Sequence, residues 1–264
     1  MDESVVIQIG KHIILRTTGF NSFNPSVIAF LLRSVEDYYS LLGVSSKKQI
    51  LICNTVGSPM CCATPCENLH VIKLSAQGDF WCQWVYQFAH EYCHHLVDGD
   101  LSGETAGLMW LEESFCHVSS MLCLDNFARL CAREPSLLSY ASCVVNYLKK
   151  VLTKEKALVC NFSLPDLKNP NKYVTYSQDS FVKLQSFIGE KACELATQYN
   201  TDYYQYIARA LYPHFFNNPK LCRIFTCLGD MRQWGSIAEL YDYLKTKDKT
   251  GFASSLDELM TCLI

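Results

Sequence analysis

His90-Glu91-Tyr92-Cys93-His94 sets two imidazoles four positions apart with a carboxylate beside the first, and Glu113 follows 19 positions after His94. On a helix, positions four apart lie about 40° apart around the axis and about 6 Å apart along it, so both imidazoles face one point. A catalytic zinc takes three protein ligands and keeps a fourth position open for water, and two His with one carboxylate is an established set. His90, His94 and Glu113 are therefore the expected ligands of one Zn2+ per chain, and Glu91 is the expected general base. Glu112, turned by about 100° on the same helix, is the alternative third ligand. With 7 His among 264 residues, random placement gives the five-residue pattern in about one chain per hundred, so its surroundings carry weight.

Residues 80–97 contain no Gly or Pro and follow the turn signal Gly78-Asp79, which predicts a helix. Trp81, Trp84, Val85, Phe88, Tyr92 and Leu96 mark its core side. Gln83, Gln87, His90, Glu91, His94 and His95 stay polar; burying them unpaired is costly, and a metal with water would satisfy most of them. A second helix, over 109–131, is apolar at Met109, Leu111, Phe115, Val118, Met121 and Leu122, with Glu113 sharing a face with His117 and Ser120.

Upstream, residues 4–9 and 12–16 read as a hairpin split by Gly10-Lys11. Asn24-Pro25 is a cap followed by a first-turn proline and opens a helix to about Leu42. Gln49–Cys53 and His70–Leu74 read as strands, with a loop over 57–65. His70–Leu74 is the candidate for a cleft-edge strand to which an extended peptide adds, an interior strand being the alternative. After residue 107 no strand is expected. The helices there are 109–131, 136–152, 178–188, 190–199, 202–212, 219–227, 236–246 and 255–263, with breaks at Asn169-Pro170-Asn171 and Pro213. The expected division is an α/β subdomain over 1–107 carrying the active-site helix and a helical subdomain over 108–264 carrying the third ligand.

The composition is globular: 49% apolar, 19% charged, net charge −3. No Lys/Arg run exceeds two residues, so a nucleic-acid partner is not expected. The first 30 residues lack the pattern of a secretory signal and no apolar run reaches the ~18 residues of a membrane helix, so the chain reads as cytoplasmic, with no membrane partner. Its 15 Cys lie mostly in helical apolar patterns and read as small buried hydrophobes of a reducing compartment. Cys61-Cys62-Ala-Thr-Pro-Cys66 lacks a matching Cys/His pair at finger spacing and reads as a loop of reduced thiols rather than a second metal site.

The stretch from His90 to Cys116 resembles the gluzincin zinc peptidases, and most closely the catalytic domain of the aminopeptidase N family. That family has two zinc-binding His on one helix, 18 intervening residues, and a Glu inside a Trp-Leu-Asn-Glu-Gly-Phe type segment. Here 18 residues separate His94 from Glu113, and Trp110-Leu111-Glu112-Glu113-Ser114-Phe115 keeps Trp, Leu, Glu and Phe in place. The resemblance implies an α+β, thermolysin-like core with a small N-terminal mixed sheet and a mainly helical C-terminal part. Val174-Thr175-Tyr176 through Leu184 is similar to the family segment carrying the catalytic Tyr, which implies an oxyanion-stabilising role for Tyr176; Tyr173 and His214 are the alternatives on chemistry alone. The family's Lys-Gly after that Tyr is replaced by Gln178-Asp179, and no Gly-Ala-Met-Glu-Asn type segment precedes His90. The expected activity is hydrolysis of peptides or proteins, endo- or exo-cleavage being open. A non-catalytic binding module with structural or no zinc is the alternative, and a non-peptide amide or epoxide hydrolase a third reading.

Overall fold

The computed structural model describes residues 5–21, 24–64, 66, 68–99, 107–153, 161–166, 169–177, 184–247 and 253–264. A short hairpin begins it: β1 (Val6–Ile9) and β2 (Ile13–Arg16) pair antiparallel around Gly10, whose φ of +61° suits a residue without Cβ. Then α1 (Pro25–Leu41) starts as the sequence predicts, with the Asn24 side chain accepting the N–H groups of Ser26 and Val27 and proline in the first turn. β3 (Gln49–Asn54), β4 (Met60–Ala63) and β5 (Leu69–Leu74) complete a five-stranded mixed sheet in the order β1-β2-β3-β5-β4. β2, β3 and β5 run parallel, while β1 and β4 are antiparallel edges.

The strand His70–Leu74 is thus interior, and the edge is β4, inside the segment expected to be loop. Only Cys61 of β4 is buried, between exposed Met60 and half-buried Cys62, so its apolar alternation is too short to register. A second correction follows residue 107, where β6 (Asn161–Asp166) and β7 (Asn169–Ser177) form an antiparallel ribbon. Each strand contains a proline, the usual mark against a strand. Leu164 is buried beneath the helices, and this tertiary contact supports a ribbon that would be marginal alone. Asn169-Pro170-Asn171 opens β7 instead of breaking a helix.

The helical part comprises α2 (Trp81–Val97), α3 (Met109–Arg133), α4 (Leu138–Leu152), α5 (Leu184–Thr197), α6 (Thr201–Asn217), α7 (Ile237–Lys247) and α8 (Ala253–Leu263), with 3-10 turns over Pro219–Cys227. α5 runs through Gly189, where two helices were expected; residues 178–183 of the first lie outside the described residues. Pro213 sits inside α6. It forfeits one backbone hydrogen bond, but Leu211, Tyr212 and Phe215 keep the helix's apolar face buried past it.

One core joins the sheet, α1, α2, α3 and α6, with Tyr39, Trp84, Phe88, Phe115, Phe127 and Phe215 fully buried in it. Small polar residues set how closely α3 approaches α2. Ser119 Oγ donates to the Ala89 carbonyl at 2.6 Å and Ser120 Oγ to the Tyr86 carbonyl at 2.8 Å, while Tyr39 donates to Ser119 at 2.5 Å. On the sheet side, the Gln87 side chain accepts from the N–H groups of Ser75 and Ala76 just past β5, at 3.1 and 2.9 Å. The start of α3 is fixed by Gly107 at φ +54°, where a Cβ would meet the carbonyl oxygens of Arg232 and Trp234 at 2.7 Å. No described helix is long and apolar enough to cross a membrane.

Candidate metal centre

These restraints bring one face of α2 against one face of α3. His90 Nε2 lies 3.3 Å from Glu113 Oε2, and His94 Nε2 lies 3.5 Å from Glu113 Oε1. The carboxylate straddles the two rings with one oxygen on each. Ligand atoms at about 2.0–2.1 Å from a tetrahedral zinc stand about 3.3 Å from one another, close to these two nitrogen–oxygen separations. Glu113 is buried, which would raise its pKa, but the imidazoles of His94 and His90 outweigh burial and hold it well below the carboxylate range.

Glu112 is not on that face. Its Oε1 lies 2.7 Å from His94 Nδ1, the nitrogen turned away from Glu113. This orients the ring and strengthens its other nitrogen as a donor. Burial would lower the pKa of His94, yet Glu113 and Glu112 together raise it.

Glu91, 3% exposed, points toward the sheet and accepts the backbone N–H of Cys61 on β4. Burial raises its pKa, against the pull of His90, His94 and that N–H.

Sequence reasoning treated Cys116 as a packing residue. Yet it lies one turn beyond Glu113, and His90, His94 and Cys116 each present a ligand atom with all three within 4.8 Å of one another. Its thiol is pushed well up by burial, by a hydrogen bond with Cys93 and by the carboxylates of Glu112 and Glu113. A second omission is Tyr199, whose hydroxyl donates to Glu113 Oε2 at 3.4 Å. It immediately precedes Asn200, the cap of α6, and only the packing of α6 on α3 brings it here.

Of the three residues expected to stabilise an oxyanion, Tyr173 and His214 lie in other clusters. Tyr176 is on β7 opposite Phe162, and its side chain is outside the described residues. Tyr173 belongs to a cluster with Asp125, its hydroxyl 3.5 Å from Oδ2, and Arg129, 5.6 Å over its ring. His214 contacts Cys262 and Glu258 of α8 at 3.3 and 3.6 Å. Cys61 and Cys62, adjacent on a strand, face opposite sides, and Cys66 is exposed; among the described residues they form no ligand group. Comparison of the chain with protein-family models, curated proteins and solved structures found no match.

Proposed function

We propose that this chain is a zinc-dependent peptidase of gluzincin type, built on a thermolysin-like core, with His90, His94 and Glu113 as ligands and Glu91 as general base. The observation that carries the reading is the spacing of the donors: each imidazole Nε2 stands 3.3 or 3.5 Å from an oxygen of the Glu113 carboxylate, near the separation of neighbouring ligands on a tetrahedral zinc. Zn2+, when bound, would polarise the scissile carbonyl and acidify water. Glu91 takes the proton of the attacking water and passes it to the leaving amine. A tyrosine hydroxyl donates to the developing oxyanion; Tyr199 is the phenol hydrogen-bonded to Glu113, and Tyr176 is the one assigned by resemblance. β4 supports the reading further, since an antiparallel edge strand beside α2 offers backbone groups to an extended peptide.

A second reading is favoured by Cys116. A thiolate there, added to two His and Glu113, would fill four positions and leave none for water, as in a structural site.

Metal analysis of the purified protein beside His94→Ala, with peptide hydrolysis by Glu91→Gln, tests the proposal. The expected result is near one zinc per wild-type chain, lost in His94→Ala. Glu91→Gln keeps the metal and hydrolyses at least ~10²-fold more slowly. A wild-type chain that takes no zinc after reconstitution, or a Glu91→Gln variant at full rate, overturns it.

A further inference from the structure

His117 stands on α3 one turn beyond Glu113 and is 5% exposed. Its ring lies 4.6 Å, centre to centre, from that of His90, inclined at 61°. Its Nδ1 is 2.9 Å from the hydroxyl of Tyr86, which is on α2 one turn before His90. Its Nε2 is buried and has no hydrogen-bond partner among the described residues. Buried polar atoms in native proteins are normally paired, so an orphan next to a metal centre calls for an explanation.

His90 supplies one. Its Nε2 faces Glu113, and a neutral imidazole that gives Nε2 to a metal carries its proton on Nδ1. Metal-binding histidines almost always donate that second N–H to an acceptor. His94 has Glu112 for this purpose, whereas among the described residues the one carboxylate paired with His90 is Glu113, on Nε2. The carbonyl one turn earlier in its own helix, that of Tyr86, already accepts the Ser120 hydroxyl besides its helical bond.

We propose that His117 fixes the tautomer of His90: its Nε2 accepts the Nδ1–H of His90, and its own Nδ1–H is donated to the Tyr86 hydroxyl oxygen. Imidazoles joined by a direct N–H···N bond stand about 5 Å apart between ring centres, so a small rotation of either ring makes the contact. The chain then has two different supports for its two imidazole ligands, a carboxylate behind His94 and a neutral imidazole behind His90. His117 is a positioning residue and touches no substrate.

The inference rests on the metal reading above, and zinc affinity measured by competition with a chromogenic chelator separates the two. Wild type, His117→Phe and His117→Gln are compared, with 15N NMR of the zinc-loaded wild type to read the tautomer. His117→Phe, which fills the space without an acceptor, is expected to bind zinc 10–100-fold more weakly. His117→Gln, whose amide oxygen can accept, recovers most of the loss, and His117 in the wild type carries its proton on Nδ1. Equal affinity of His117→Phe and wild type, an equal loss in both variants, or a proton on Nε2 overturns the inference and leaves the metal site standing. Absence of zinc from the wild type overturns both. Should His117→Phe not fold, the Gln variant and the tautomer still decide.

Discussion

Two side chains on one turn of α3 compete for the third place at the metal centre, and their acid–base states differ. Glu113 is already an anion, held so by His94 and His90 against the effect of burial. Cys116 is a thiol whose ionisation is opposed by burial, by Cys93 and by two carboxylates. Zinc ligands must be deprotonated, so recruiting Cys116 costs a proton that recruiting Glu113 does not. Cys116→Ser should therefore bind zinc within a few-fold of wild type, and Glu113→Gln should bind it 10-fold or more weakly. Cobalt substitution reads the same choice spectroscopically. A Co2+-loaded wild type without a thiolate charge-transfer band in the near ultraviolet fits Glu113 as ligand and an open fourth position, whereas a strong band lost in Cys116→Ser would transfer the site to the closed, structural reading.

At the scale of elements, substrate alignment depends on β4. Because the Cys61 N–H is turned to Glu91, the backbone groups of Cys61 point away from β5, and those of Ala63, two residues on, point the same way. Ala63 is exposed. Ala63→Pro removes one outward N–H without breaking a bond to β5, a position on an edge strand that proline tolerates. A single backbone hydrogen bond contributes about 0.5–1.5 kcal/mol. KM for a peptide should rise by roughly 2–13-fold with zinc content and circular dichroism unchanged; an unaltered KM would move the substrate off this edge. This strand also marks how far the sequence could be read. α1, α2 and α3 were legible because 17 to 25 residues rich in apolar side chains, with no glycine and no proline past the first turn, leave a strong trace. The donors on α2 and α3 were legible with them, since helical spacing alone aligns His90 with His94. β4 and the β6–β7 ribbon are held by neighbours distant in sequence, and among their described side chains only Cys61, Leu164 and Pro165 are buried, too few for a pattern. Tyr199 was invisible for the same reason: it reaches Glu113 across 86 positions, and no local signal marks such a contact.

For the molecule as a whole, stability should depend on pH through a buried charge far from the metal centre. Asp125 on α3 is 1% exposed, pairs with Arg129 at 3.0 Å and receives the Tyr173 hydroxyl from β7, so it ties the ribbon to the helices. Burial pushes its pKa up to about 6, and Arg129 and Tyr173 recover only part of the cost. Its Oδ1 and the nearby Tyr212 hydroxyl have no hydrogen-bond partner among the described residues, which fits the incomplete compensation. A folded pKa raised above the unfolded value means that the native state holds the proton more tightly. The associated stability is fully present below about pH 4 and is lost as pH rises through about 6. The difference of about 2 units corresponds to roughly 3 kcal/mol, a large part of the 5–15 kcal/mol that holds a domain folded. The neutral imidazoles of His70 and His95, both lowered first by burial, act in the opposite sense, losing stability as pH falls below about 6.5. A bare stability profile of the wild type would mix these effects, whereas comparison with Asp125→Asn isolates one. Asn cannot titrate, and its weaker contact with the always-charged Arg129 is a constant offset at every pH. Urea unfolding of both proteins in metal-free buffer at pH 4, 5, 6 and 7 should show the variant gaining on the wild type by roughly 2 kcal/mol across the series, most of it between pH 4 and 6, because at pH 4 part of the full effect is already lost. A difference that stays flat would mean that Asp125 ionises in the fold as easily as in the unfolded chain, and that the pairing with Arg129 fully offsets its burial.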